Sequence, residues 1–319
     1  MAEFQRGELV SAKDNDDLTG CKNYKIQIAS DLHLEFYSHM TMSEEEEAEL
    51  FNQIVVKNPN AKVLALLGDI TILTTDKCRE QYRRFIEWAL PQWENIVILT
   101  GNHEYYRKGS DRRVDIATCD DFLRELERSN ECVHFLQQSA LDLGYCVILG
   151  CTLWSEIPDE EEVRTDIWRK LNDYRSIYTK DIQNDKSLRL IEPNDTNDLH
   201  RSHIGWLKAQ IELYKDREVV VLTHHTPSMK GTSDPIFDKD INEPNHMAHA
   251  FSTDLTQVIH DNPCVKVWAY GHTHYNNRQY YIRNPTDLTS SCLLVSNQYG
   301  YYGENLRKGS YRFDPRLLV

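Results

Sequence analysis

Seven short apolar runs punctuate the chain, and all but the fourth end on polar residues: YKIQIASDLH (24–33), KVLALLGD (62–69), NIVILTGNHE (95–104), YCVILGCTLW (145–154), EVVVLTHH (218–225), CVKVWAYGHTH (264–274) and SCLLVSN (291–297). Runs of β-branched and aliphatic residues of this length predict buried strands. Amphipathic stretches at roughly 43–57, 76–90 and 115–130 lie between the early ones, so strands and helices alternate, the order of an α/β fold. In MSEEEEAELFNQIVV, Ser43 and Glu46 form a capping box, and the carboxylates that follow suit the first turn of a helix. In HRSHIGWLKAQIELYKDR the apolar residues at 204, 207, 211 and 214 predict a helix lying on one face and leading into EVVVLTHH. The rhythm fails from Ser155 to about Ser202, where the acidic run 156–162 precedes LNDYRSIYTKDI and LIEPNDTNDLH. This predicts an insertion at about 155–202, read as a lid that shapes specificity. No internal repeat is visible, so one domain is expected over 24–319, preceded by a polar tail at 1–23.

Composition narrows the setting. The 319 residues are 40% hydrophobic and 10% aromatic, as in ordinary globular proteins, and no apolar run reaches the roughly 18 residues of a membrane span. The start, MAEFQRGELVSAKDNDDLTG, lacks a basic region followed by an apolar stretch, so a cytoplasmic protein is expected, with a nuclear one left open. Eight cysteines without a CxxC pair read as reduced thiols. The 36 Lys and Arg against 50 Asp and Glu give −14, which repels a polyanion and disfavours nucleic acid as a partner.

The candidate chemistry lies where the runs end. Asp, Asn and His stand at the C-terminal ends of predicted strands, the edge at which open α/β sheets bind ligands. In Asp31-Leu32-His33 an extended backbone would point the two polar side chains to one side and Leu32 to the other, and His272-Thr273-His274 repeats the device. Asp69, after Gly68, offers two carboxylate oxygens to bridge ions; Asn102 adds a carbonyl oxygen and His224 an imidazole nitrogen. This mixed oxygen and nitrogen set, without thiolate, suits Mn, Fe, Zn or Ni better than Ca.

DLH, GD, GNHE, the His-His pair and GHTH, in that order over roughly residues 24–297, resemble the calcineurin-like metallophosphoesterase superfamily. The resemblance implies two packed mixed β-sheets flanked by helices in four layers. It also implies two metal ions, one bound by Asp31, His33 and His274, the other by Asn102, His224 and His272, with Asp69 bridging. It implies further that a water shared by the ions attacks phosphorus and that His103 serves the leaving oxygen or the charged transition state.

Departures from subfamily patterns select the substrate class. SDLHLE and GDITIL lack the GDxHG and GDxxDRG blocks of Ser/Thr protein phosphatases and their phosphate-clamping arginine. His33 stands where the lariat-debranching branch has cysteine, and GNHE replaces the GNHD usual in double-strand-break nucleases. A small phosphomonoester or phosphodiester substrate is expected, the alternatives being a nuclease of the same superfamily or a silent binding scaffold. His225, Tyr105 and Tyr301 are candidate substrate contacts, with Tyr106, Tyr299 and Tyr302 also flanking the motifs, and Glu104 is expected to orient ligating imidazoles. His200 and His203 are expected at the surface, while His39, His134 and His260 have no evident partner.

Overall fold

The computed structural model describes residues 6–12, 22–38, 40, 42–108, 113–181, 184–235, 246–301, 304 and 312–319. In chain order the strands are β1 (Glu8–Ser11), β2 (Ile26–Ala29), β3 (Val63–Leu67), β4 (Asn95–Leu99), β5 (Val133–Phe135), β6 (Ser139–Asp142), β7 (Val147–Cys151), β8 (Tyr178–Asp181), β9 (Asn184–Leu190), β10 (Val219–Thr223), β11 (Val265–Tyr270), β12 (Arg278–Ile282) and β13 (Cys292–Ser296). The larger sheet has the order β1-β12-β13-β11-β10-β7-β6 and the smaller one β2-β3-β4-β5, while β8 and β9 form a separate hairpin. The larger sheet is mixed; the four strands of the smaller sheet run parallel, and residues 317–319 pair antiparallel with β2 at its edge.

The continuous apolar runs are explained by burial on both faces. In β3 and β4, Val63, Ala65, Leu67, Val97 and Leu99 point into the space between the sheets, where they meet Val220, Leu222, Val267 and Ala269 of the larger sheet. The alternate residues Leu64, Leu66, Ile96 and Ile98 face outward onto helices α1 (Glu44–Ile54), α2 (Asp76–Ala89) and α3 (Ile116–Ser129), through Phe51, Phe85 and Leu123. On the other side Val219, Val221, Val265 and Trp268 meet Leu207 and Ile211 of a long helix. Helix, sheet, sheet, helix is the four-layer arrangement expected. Ser43 caps α1 as predicted, its hydroxyl accepting from the Glu46 N–H and the Glu46 carboxylate accepting from the Ser43 N–H.

Two boundaries differ from expectation. Residues 8–11, read as part of a tail, form β1 and pair antiparallel with β12 at the edge of the larger sheet. Leu9 packs on the outer core and Val10 on the inner one, a two-residue alternation too short to stand out in the sequence. The region 155–202 is not structureless. It holds α4 (Glu161–Lys170), α5 (Asp173–Ser176) and the β8–β9 hairpin. It also holds the first turns of α6 (Pro193–Leu213), which opens with Pro193 at its start and a reciprocal Glu192–Asp195 cap. Val163, Ile167, Tyr174, Ile177 and Ile191 are buried in the core that covers the smaller sheet, so the segment packs as part of that layer.

His200 and His203, expected at the surface, are each 3% exposed on the inner face of α6. His203 Nδ1 accepts from the Leu153 N–H at 3.1 Å, and His200 Nδ1 lies 3.2 Å from the Leu153 and Trp154 carbonyls. They hold the turn after β7, in which Leu153 and Trp154 have φ of 72° and 53°. His134 likewise meets Asn95, and His260 meets Tyr281; His39 lies outside the described residues. Burial, with the charge of His200, pushes the His203 imidazole down to about 4 from its usual 6.5. The unfolded chain then takes up the proton first, so this contribution is complete above pH 6.5 and is lost as pH falls towards 4, up to about 3 kcal/mol. Replacing His203 by Gln keeps an acceptor for Leu153 and removes the titration. In urea melts between pH 7 and 4 the variant is expected to lose less stability than the parent; parallel curves would refute the assignment.

Candidate metal centre

The C-terminal ends of β2, β3, β4, β10 and β11 converge on one edge of the sandwich, and the motif residues lie just past each strand. The Asp31 and His33 N–H groups bond the Gly68 and Asp69 carbonyls, and the Gly271 N–H bonds the His224 carbonyl, lacing the loops together. The approach is close enough that a Cβ on Gly101 would strike the Asp69 carboxylate and the His224 ring, and one on Gly68, at φ 88°, would strike the Gly101 backbone. Glycine is required at both positions.

The paired motifs achieve their geometry differently from the extended backbone expected. Asp31, His33, Asp69, His272 and His274 all have left-handed backbone, with φ between 48° and 75°. Such conformations cost about 1–3 kcal/mol each and persist where surrounding structure fixes them. They turn the polar side chains inward as the chain leaves the sheet, while Leu32 between them stays wholly in the core.

Two clusters of potential ligand atoms result, Asp31–His33–His274 and Asp69–His224–His272, with His33, Asp69 and His103 joining them. His33 Nε2 lies 3.0 Å from His274 Nε2, and His224 Nε2 lies 3.2 Å from both His272 Nδ1 and Asn102 Oδ1. The Asp31 carboxylate is 3.4 Å from His274 Nε2 and that of Asp69 is 3.5 Å from His224 Nε2. All seven predicted ligands therefore meet at one place. Converging ring nitrogens beside buried carboxylates are what a cation satisfies, and the buried His272 Nε2 has no hydrogen-bond partner. Burial opposes charge on His224 and His274, yet Asp69 and Asp31 overcome it, raising His224 to about 9 and His274 to about 10, with Glu304 adding to the latter. His272, by burial and the charge of His224, falls to about 3.

Around the clusters, neighbours fix each side chain. Asn102 donates its amide to Asp173 at 2.8 Å and to the Tyr106 hydroxyl at 3.1 Å, which turns its oxygen towards His224. Asp173 comes from α5, so the segment read as an insertion orients a candidate ligand. His274 Nδ1 meets Glu304 at 2.7 Å. Glu104, expected to orient imidazoles, instead accepts from the N–H groups of Asp69, Ile70 and Gly101, binding the β3 and β4 loops together. Burial and the neighbouring Asp69 raise its carboxyl to about 8.

Glu35 was not singled out by the sequence. Its Oε1 lies 3.1 Å from His33 Nδ1 and 3.2 Å from His103 Nδ1, joining a metal-ligand candidate to the catalytic candidate. Burial would raise its carboxyl, but the hydrogen bonds from His103 and His33 hold it down at about 2. Its position two residues after His33 was the available signal. His103 also stacks on Tyr106 with ring centroids 4.2 Å apart and directs Nε2 at the Tyr301 hydroxyl, 3.0 Å away. Tyr301 thus stands beside the site. Tyr105 and His225 are each 1% exposed. Tyr105 bonds Thr100 and Asp120 within the core, and His225 packs between Trp154 and His272, so neither is placed to touch a substrate. Tyr299 packs on Phe313, and Tyr302 lies outside the described residues.

The sequence model of the calcineurin-like phosphoesterase family matches residues 24–276. An uncharacterized protein of Acanthamoeba polyphaga mimivirus, L509, is 28% identical over 310 residues, covering 92% of this chain and 98% of its own. Among solved structures, the phosphopantetheinyl hydrolase PptH of Mycobacterium tuberculosis superposes with a TM-score of 0.60 at 15% identity, covering 90% of this chain and 93% of its own. A dimetal phosphatase from Danio rerio gives a TM-score of 0.40 at 16% identity, covering 85% and 86%.

Proposed function

Because the chain belongs to the calcineurin-like phosphoesterase family, and is thus a phosphoric ester hydrolase, we propose that it hydrolyses a small phosphomonoester or phosphodiester with two transition-metal ions, Mn, Fe, Zn or Ni. In this reading Asp31, His33 and His274 hold one ion, Asn102, His224 and His272 the other, and Asp69 serves both. The observation that carries it is the pair of facing imidazoles, His33 with His274 and His224 with His272, on either side of the Asp69 carboxylate. When bound, ions at such a site supply Lewis acidity towards a phosphoryl oxygen and a nucleophilic water near neutral pH.

The protein's own part is placement and proton supply. The His103 and His274 side chains are each 11% exposed, against 0–2% for His33, His224 and Asp69, so both lie towards the opening of the site. With Nδ1 held by Glu35 and its backbone N–H anchored on Asp69 Oδ1 at 2.8 Å, Nε2, which meets the Tyr301 hydroxyl at 3.0 Å, is the ring atom that would give a proton to the leaving oxygen. Burial lowers the His103 pKa, but Asp69 and Glu35 more than offset it, so the ring is held towards its protonated form. The Tyr301 hydroxyl is aimed at the same point and would contact the departing group.

Chelator-treated protein should be inactive towards p-nitrophenyl phosphate and its bis-ester, and return of Mn, Fe, Zn, Mg or Ni one at a time should restore turnover with at least one ion. The ratio of the two rates then distinguishes monoesterase from diesterase. Retained activity after complete metal removal would refute the proposal.

A further inference from the structure

Most imidazole and amide groups at the centre are steered by a hydrogen bond on the atom that does not face the cluster. His33 Nδ1 meets Glu35, His274 Nδ1 meets Glu304, the Asn102 amide donates to Asp173, and His224 Nδ1 lies 2.8 Å from the Leu67 carbonyl. Bonds of this kind fix the ring plane and tautomer of a metal-binding histidine. His272 differs. Its Nδ1 turns to His224 Nε2, and among the described residues its buried Nε2 has no partner.

Aromatic contact takes the place of that bond. Trp154, His225, His272 and Phe251 follow one another as a row of rings, with successive centroids 5.2, 4.1 and 4.9 Å apart and successive planes tilted by 34–35°. Such packing favours particular ring orientations and so can hold an imidazole in plane. The row also accounts for the turn after β7. Left-handed backbone in residues other than glycine persists where a site requires it, and at Leu153 and Trp154 it delivers the Trp154 ring to His225, while His200 and His203 hold the turn in place. We propose, resting on the two-ion reading of this centre, that His225 is a positioning residue for the ion assigned to Asn102, His224 and His272. Backed by Trp154, it fixes the His272 ring by aromatic contact, and Phe251 contributes a second such contact. The ion assigned to Asp31, His33 and His274 is independent of it, because both of those imidazoles have carboxylate partners.

Calorimetric titration of Mn or Zn, each alone, into the chelator-stripped full-length chain tests this with binding as the readout. The parent should show two events, both weakened by Asp69→Asn. His225→Ala should weaken one of them by about tenfold or more, as when the support of a metal-binding histidine is removed, and leave the other unchanged. Glu35→Gln, which acts through His33, should do the reverse. His225→Phe keeps a ring while removing both nitrogens, and should restore most of the affinity lost in His225→Ala. If His225→Ala does not fold, Phe251→Leu, at a partly buried position, should weaken the same event several-fold. Two undiminished events in a folded His225→Ala or Phe251→Leu chain, or a His225→Phe chain that binds no more tightly than His225→Ala, would overturn the positioning role and leave the two-ion reading standing. A parent chain that binds neither metal would overturn that reading and this inference with it.

Discussion

Asp69→Asn should lower kcat/KM for p-nitrophenyl phosphate by about 10²–10³-fold, the range seen when a charge-stabilising group at a reacting centre is lost. Asp69 is the residue common to the clusters around His33 and around His224, and its Oδ1 also anchors the His103 N–H. Asparagine keeps the shape and the acceptor for that N–H but removes the charge that both clusters share. Stability should fall as well. Burial would raise the Asp69 carboxyl, but His224 and His103 hold it well below the usual carboxylate range, so neutralising it removes attractions that stabilise the folded chain. The melting temperature of the metal-free variant should therefore lie below that of the parent near neutral pH. A variant that keeps activity within tenfold would remove Asp69 from the site.

That residue could be read from the sequence because it closes an apolar run and follows a glycine. Every proposed ligand lies where an apolar run ends: burial on both faces makes the runs continuous, and the first polar residues mark where the chain leaves the sheet. What the sequence hid was the backbone there. A two-residue spacing suggests an extended chain, whereas Asp31, His33, His272 and His274 reach one side through left-handed conformations that only surrounding hydrogen bonds hold. Contacts between distant segments were hidden too. Asp173 sits in a stretch without clear periodicity and gains its meaning from Asn102, 71 residues earlier. His200 and His203 looked like surface residues because they lie beside the polar segment read as a lid; their burial follows from the turn after β7 that they hold.

Glu35 belongs to the same class, and with His103 it supports a test that separates proton delivery from architecture. His103→Ala should lower kcat by about 10²–10⁴-fold, the usual contribution of a positioned acid, and the loss should grow with the basicity of the leaving group. A p-nitrophenolate needs little help to depart; an alkoxide needs a proton. An alkyl phosphate should therefore suffer far more than the aryl ester, whereas a merely structural defect would depress both alike. Glu35→Gln should cost about 10–100-fold, as for residues that orient a ligand or catalyst. Because Glu35 acts through His103 Nδ1 and His33 Nδ1, its effect on the leaving-group dependence should vanish in the His103→Ala background, while a residual loss traceable to His33 and metal retention persists. Fully additive losses would mean that the two side chains act independently, and equal losses on alkyl and aryl esters would take the proton-donor role away from His103.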